Sequence, residues 1–167
     1  AEYKGISLEV NMHDIIYETL SADPLRLNQI ITNLLTNAVK YTDNGGKVLF
    51  DISQSRLPDD DEKIRLKIVV SDNGIGMTKE FQETMYNSFT RALDSRTNKI
   101  QGTGLGLAII KQLVDLMNGS IDCKSELRKG TTFTVYLDLA VLNEHKHLDT
   151  VNPDSLYEKN YDFSSLH

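Results

Sequence analysis

The stretch Asn33-Leu34-Leu35-Thr36-Asn37-Ala38-Val39-Lys40-Tyr41-Thr42 decides the reading of this chain. Leu27, Ile30, Ile31, Leu34, Leu35 and Ala38 recur at helical spacing, which predicts an amphipathic helix with one buried stripe. At about 100° per residue, Arg26, Gln29, Asn33, Asn37 and Lys40 share the opposite stripe. A solvated helix face is usually rich in Glu and Lys, whereas this one carries two amides one turn apart with a lysine beyond them. An Asn oxygen is a neutral hard ligand suited to Mg²⁺, which takes few protein ligands and keeps several waters. A lysine one turn away can meet phosphate oxygens. Alone, the stripe also reads as an ordinary polar face.

Asp23-Pro24 predicts the helix start, with Asp23 as N-cap and Pro24 at the first helical position. Before it, Ile6, Leu8 and Val10 alternate with polar residues as in a strand. After it, Asn44-Gly45-Gly46 predicts a turn. Val48, Phe50 and Ile52 form one strand, and Ile64, Leu66, Ile68 and Val70 its antiparallel partner. The acidic run Pro58 to Glu62 is expected to be the hairpin loop between them. A helical segment is expected around Lys79 to Phe89, and a mobile polar loop from about Thr90 to Gln101. Leu105, Ile109, Leu113 and Met117 mark a further helix that stops at Asn118-Gly119. Ile121 and Cys123 belong to a strand, and Phe133, Val135, Leu137 and Leu139 to the last strand, after a Gly130-Thr131 turn. The pattern predicts an α+β fold: a two-layer sandwich, with helices on one face of a mixed, mostly antiparallel sheet. It holds over residues 1–142, and residues 143–167 read as a C-terminal linker or tail.

Two glycine motifs complete the constellation. Asp72-Asn73-Gly74-Ile75-Gly76 directly follows a strand. Its carboxylate can accept a hydrogen bond from the exocyclic amine of adenine, and its glycines let backbone approach a flat ring. Alone, it is equally a strand-end turn. Gly102-Thr103-Gly104-Leu105-Gly106-Leu107 opens a helix, offering free N–H groups and a positive dipole end to phosphates. Alone, it is a glycine-hinged helix start. It is not a Walker A loop, because no Gly-Lys-Ser/Thr follows, and a polar loop rather than a strand precedes it, unlike a dinucleotide fingerprint. Together, and in this order, the three parts predict a nucleotide site with a base reader, a metal ligand and a phosphate cradle.

Composition narrows the alternatives. With 167 residues the chain fits one domain, and with a net charge of −6 it is a poor candidate for non-specific nucleic-acid binding. The single cysteine, Cys123, excludes an internal disulfide and suits a reducing, cytoplasmic setting. No apolar run is long enough to span a bilayer, and no signal-peptide pattern opens the chain. The first residues begin mid-pattern, as in a fragment of a longer protein. His13-Asp14 reads as a surface pair beside a strand rather than a catalytic dyad, and His145 and His147 lie in the tail.

With these motifs in order, residues 1 to about 140 closely resemble the catalytic and ATP-binding domain of sensor histidine kinases, a family with the Bergerat ATP-binding fold shared with DNA gyrase. Asn33 to Thr42 resembles the family's N box, Asp72 to Gly76 its G1 box and Gly102 to Leu107 its G2 box. Tyr86-Asn87-Ser88-Phe89 resembles the F box, with Tyr86 where Phe is common, and Gly130-Thr131-Thr132-Phe133 the final glycine box.

The resemblance implies ATP and Mg²⁺ as ligands. It implies that Asn37 holds the metal with Asn33 beside it, that Lys40 and Tyr41 contact phosphate and nucleotide, and that Asp72 reads the adenine amine. Gly74 and Gly76 would line the base pocket, with Thr131 nearby. Residues from about Met77 to Thr103 would form an ATP lid. Arg91 would reach the γ-phosphate, and Gly102, Thr103, Gly104, Leu105 and Gly106 would seat the phosphates. It implies phosphoryl transfer to a histidine on a separate dimerisation domain of the parent kinase, with a response regulator or fused receiver domain downstream.

The ending Tyr161-Asp162-Phe163-Ser164 is similar to linkers that precede receiver domains. The fragment itself is expected not to enter a membrane, the parent being either soluble or anchored in the inner membrane. Hydrolysing members of the wider group carry a glutamate one turn before the metal-binding asparagine. This chain has Asn33 there, and an amide cannot take a proton from water. Three other readings compete: an ATPase-type conformational switch, a serine-directed kinase of the anti-sigma type, and a non-catalytic nucleotide-binding module.

Overall fold

Asp23 opens the long helix as its sequence predicts. In the computed structural model, which describes residues 4–87 and 105–142, its carboxylate accepts the N–H groups of Leu25 at 3.0 Å and Arg26 at 3.2 Å, and Pro24 follows at the first helical position. This helix, α1 (Pro24–Tyr41), ends at Thr42, whose extended backbone stops it and whose hydroxyl donates back to the Ala38 carbonyl at 2.7 Å. The described elements around it are β1 (Ser7–His13), β2 (Leu20–Ser21), β3 (Lys47–Leu57), β4 (Asp60–Asp72), α2 (Lys79–Thr84), α3 (Gly106–Leu116), β5 (Ser120–Glu126) and β6 (Gly130–Val141).

The sheet runs β1-β3-β4-β6, and the free side of β6 is shared by β5 and the short β2. β1 pairs with β3 in parallel, the crossover passing through α1, while every other pairing among the described strands is antiparallel. Val48, Ile68, Val70, Phe133, Val135 and Leu137 point from the inner face into one core, met by Ile30, Leu34 and Ala38 of α1 and Ile110 and Val114 of α3. The opposite face is polar; Arg65, for example, forks onto its cross-strand neighbour Asp138 with two bonds of 2.8 Å. The sandwich expected from the sequence is the fold observed.

Four details depart from expectation. The β3–β4 hairpin is tighter than the acidic run suggests: Leu57 faces Asp60, only Pro58 and Asp59 form the connection, and Asp60 to Glu62 extend β4. Their side chains stay exposed or half-exposed, so strand geometry asks no hydrophobicity of them. The helix expected to run to Phe89 is shorter: α2 ends at Thr84, and Met85 turns into the core, 5% exposed. Strand β2 was not foreseen. Gly130 and Thr131 begin β6 rather than preceding it. The expected mobile loop at residues 90–101 falls among the undescribed residues, and the expected tail lies outside the described residues as well.

Candidate functional site

The site is assembled where α1, the loop after β4 and the start of α3 converge. Asp72 is the last residue of β4 and is partly buried. Its carboxylate accepts the Gly74 N–H at 2.9 Å and the backbone N–H of Thr131, its neighbour across β4 and β6. Burial raises its pKa above the ordinary aspartate value, and the two N–H donors partly offset that rise. The result is a partly desolvated carboxylate at the end of an inner strand, held by backbone donors and retaining acceptor capacity.

The loop beyond it is fixed by backbone contacts that exclude side chains. A Cβ on Gly74 would stand 2.2 Å from the Tyr41 carbonyl oxygen, and that same oxygen accepts the Ile75 N–H at 3.1 Å. Gly76 has φ +64°, and a Cβ there would meet the Glu126 carbonyl oxygen at 2.0 Å. The Ile75 carbonyl in turn accepts the Arg128 N–H at 2.7 Å. The glycines predicted to let backbone approach a base therefore also weld this loop between the end of α1 and the β5–β6 turn. Asn73 faces away and pins the start of β3, accepting the Lys47 N–H at 2.7 Å.

On α1, Asn33, Asn37 and Lys40 are half-buried on the stripe opposite Leu34 and Ala38, and neither amide bonds to another described residue. Lys40 places its ammonium 5.1 Å from the centre of the Tyr41 ring. A Cβ built on Gly106, the first residue of α3, would lie 3.5 Å from Nδ2 and 3.8 Å from Oδ1 of Asn37. The expected metal ligand thus stands against the N-terminus of the expected phosphate-binding helix. Leu105 at that terminus supplies no side-chain cap, so among the described residues no side chain caps the first N–H groups of α3, the positive end of its dipole. Among the described residues no group of three or more His, Cys, Asp or Glu could hold a metal. A divalent ion here would rely on Asn37, phosphate oxygens and water, the ligand set Mg²⁺ tolerates.

Asn33, Asn37, Lys40, Tyr41, Asp72, Gly74, Gly76, Leu105 and Gly106 lie on these converging elements, and Thr131 on β6 beside Asp72. Arg91, Gly102, Thr103 and Gly104 lie outside the described residues, as do Ser88 and Phe89. Tyr86 packs against the core; its hydroxyl is enclosed without a partner among the described residues, and burial raises its pKa. Sequence reasoning missed Ser125. Its hydroxyl lies 2.9 Å from that of Thr131, donates to the Gly130 carbonyl at 3.0 Å and accepts the Met77 N–H at 2.8 Å, tying the end of the loop to the strands beneath it. The available signal was β5's alternation, which places Ser125 on the same face as Cys123.

A shallow depression of about 330 Å³ adjoins Asp72 and Thr131 from the side of Lys124, Glu126 and Lys129, but does not reach Asn33, Asn37 or Gly106. The convergent polar groups, not this depression, mark the site. His13 ends β1 on the sheet face away from the helices, with Nδ1 2.8 Å from Asp14 and Nε2 3.0 Å from Asp51. Those carboxylates raise its pKa, the Asp14 hydrogen bond foremost.

Residues 22–141 match the family described as histidine kinase-, DNA gyrase B-, and HSP90-like ATPases. The chain belongs to this ATPase family. Among similar curated proteins, the signal transduction histidine-protein kinase BarA of Escherichia coli (strain K12) is 36% identical over 136 residues, covering 81% of this chain and 14% of that protein. The autoinducer 2 sensor kinase/phosphatase LuxQ of Vibrio vulnificus (strain YJ016) is 38% identical over 159 residues, covering 92% of this chain and 18% of that protein. The chain therefore spans less than a fifth of the length of these relatives. Among solved structures, the mycobacterial sensor histidine kinase MprB superposes with a TM-score of 0.65 at 25% identity, over 83% of this chain and 87% of that one. Full-length ShkA in complex with AMPPNP gives 0.62 at 30% identity, over 83% of this chain and 26% of that one. The ATPase-family domain thus has the fold of a histidine kinase catalytic domain, and one structural neighbour carries an ATP analogue.

Proposed function

We propose that this domain binds ATP with Mg²⁺ and delivers the γ-phosphoryl group to a histidine on a separate dimerisation domain of its parent kinase. The observation that carries the proposal is the close approach of Asn37, on α1, to the N-terminus of α3, while the last carbonyl of α1 anchors the loop that begins at Asp72. One rigid frame thereby joins a base reader to a phosphate site.

In this reading Asp72 accepts the adenine exocyclic amine while its other acceptor sites remain with Gly74 and Thr131. Gly74 and Gly76, whose backbone packs against the Tyr41 and Glu126 carbonyls, line the base pocket. Lys40 and Tyr41 meet the nucleotide at the last turn of α1. The α3 N-terminus, with Leu105 and Gly106, receives the phosphates, joined by Gly102, Thr103 and Gly104. Asn37 would hold Mg²⁺, which would supply neutralisation of phosphate charge. Arg91 is proposed to support the γ-phosphate. Asn33 occupies the position of a water-activating base without being able to act as one, so ATP waits for an external nucleophile. Catalysis is then mainly positioning and electrostatics.

The parent's histidine-bearing domain is the proposed acceptor, and a response regulator or fused receiver the proposed destination of the phosphoryl group. No helix among the described residues is long and apolar enough to cross a membrane. A cytoplasmic catalytic domain, on a parent either soluble or anchored in the inner membrane, remains the proposal. Calorimetry tests the site: Mg²⁺ should tighten ATP binding and not adenosine binding, and GTP should bind markedly more weakly. Equal affinity for ATP and GTP would overturn the assignment of Asp72.

A further inference from the structure

We propose that Lys4 is a positioning residue of this nucleotide site, neutralising the negative end of α1 where the phosphates must pass. The inference rests on the nucleotide reading above and concerns a residue outside every motif. The Lys4 ammonium donates to the carbonyl oxygens of Lys40 at 2.8 Å, Thr42 at 2.9 Å and Val39 at 3.2 Å. An ammonium has three donors, and here all three are spent on one helix end.

The carbonyls of that last turn are fully accounted for. Ala38 accepts from the backbone and hydroxyl of Thr42, and Tyr41 accepts the Ile75 N–H. Val39, Lys40 and Thr42 are the ones left to Lys4. The helix closes without a glycine cap, since Thr42 is extended, so a side chain from elsewhere supplies what local chain geometry does not. Lys4 is itself held: its carbonyl accepts the Gly45 N–H at 2.9 Å, and Ser7 N–H donates to Gly46 at 3.0 Å.

A helix C-terminus carries about half a negative charge. A polyphosphate favours the N-terminus of α3 but is repelled by the C-terminus of α1, and the site uses both ends. The same turn bears Lys40 and Tyr41 and, through the Tyr41 carbonyl, holds the Gly74-Ile75 loop. A positive charge bound to its carbonyls removes the repulsion at the point where Asn37 and Lys40 are to meet phosphate. Adenosine, which has no phosphate, would not sense that charge.

The test compares Mg²⁺–ATP and adenosine binding by calorimetry in the wild-type chain, Lys4→Gln, Lys4→Arg and Lys63→Met. Glutamine keeps N–H donors without charge, and Lys63→Met removes an equal charge at the distant end of β4. Lys4→Gln should weaken ATP binding about five-fold at low salt while leaving adenosine within about two-fold. The ATP difference should shrink as salt rises. Lys4→Arg should restore ATP affinity, and Lys63→Met should not alter it. Wild-type ATP affinity in Lys4→Gln, or an equal loss for ATP and adenosine, would overturn the role assigned to Lys4 while leaving the nucleotide site standing. A wild-type chain that binds neither ligand would remove both.

Discussion

Replacing Asp72 with Asn exchanges one carboxylate oxygen for an amide NH₂ and changes almost nothing in volume. The carboxylate now accepts N–H groups from Gly74 at 2.9 Å and from Thr131, and in the proposed complex also accepts the adenine amine. An amide has one acceptor oxygen and two unwanted donors, so it cannot satisfy all three. Whichever donor is abandoned in this partly buried corner costs about 1–3 kcal/mol. At about 1.4 kcal/mol per decade, ATP affinity should fall about five- to hundred-fold.

The unliganded fold should respond differently. Burial raises the folded-state pKa of Asp72 above its unfolded value, so ionising it at neutral pH counts against folding. Asparagine removes that penalty while losing one backbone acceptor, and the melting temperature should move by no more than a few degrees. Calorimetry with Mg²⁺–ATP, paired with thermal melts of the free chain, makes the comparison. Unchanged ATP affinity in the variant would refute the base-reading role. So would a loss of affinity matched by collapse of the free fold, because the effect would then be structural.

Other outcomes follow from the same geometry. ATP binding should weaken as pH falls through the raised pKa of Asp72, because protonation removes an acceptor, with a midpoint above that of an ordinary aspartate; a titration of binding against pH should show the step in the wild type and not in Asp72→Asn. Asn37→Ala should abolish the Mg²⁺-dependent gain in ATP affinity while sparing adenosine, as read by calorimetry with and without the metal. Gly130→Ala should lower the melting temperature by several degrees, since φ is +113° and the new Cβ would meet the Asp72 carbonyl oxygen at 1.9 Å. Cys123 should be alkylated slowly at neutral pH, because burial, with the charge of Asp72 behind it, pushes its thiol up to about 12; rapid labelling of the folded chain would contradict that placement.

The parts of the fold legible in the sequence were those written in side chains. Asp23-Pro24 and the repeat through Leu27, Ile30 and Leu34 announce α1 because capping and burial both act on side chains. β4 and β6 alternate cleanly because only one of their faces is buried. β2 has two residues, too few to alternate, and exists because β6 leaves an edge open beside it. The parallel pairing of β1 with β3 is a long-range consequence of the α1 crossover, with no local mark. The β3–β4 hairpin misled because exposed acidic residues resemble a loop even where they continue a ladder.

The site divides in the same way. Asp72, Asn37 and the glycines carry recognisable chemistry. The Tyr41 carbonyl that holds Ile75, and the Thr131 N–H that holds Asp72, are backbone groups that any residue could supply. Lys4 is a lone lysine ahead of a strand, and only folding brings it to the carbonyls it caps.

In the proposed function, Asn33 and the converging nucleotide groups make a phosphoryl donor rather than a hydrolase. Incubating this chain with γ-labelled ATP and Mg²⁺, with and without the proposed histidine-bearing dimerisation domain, tests this. Alone, the chain should bind ATP, release phosphate very slowly and stay unlabelled, with His13→Ala behaving identically. With the acceptor domain, that domain should gain an acid-labile, alkali-stable label, as a phosphoramidate requires. Brisk phosphate release by the chain alone, label on His13, or an acid-stable phosphoester on the acceptor would contradict the account.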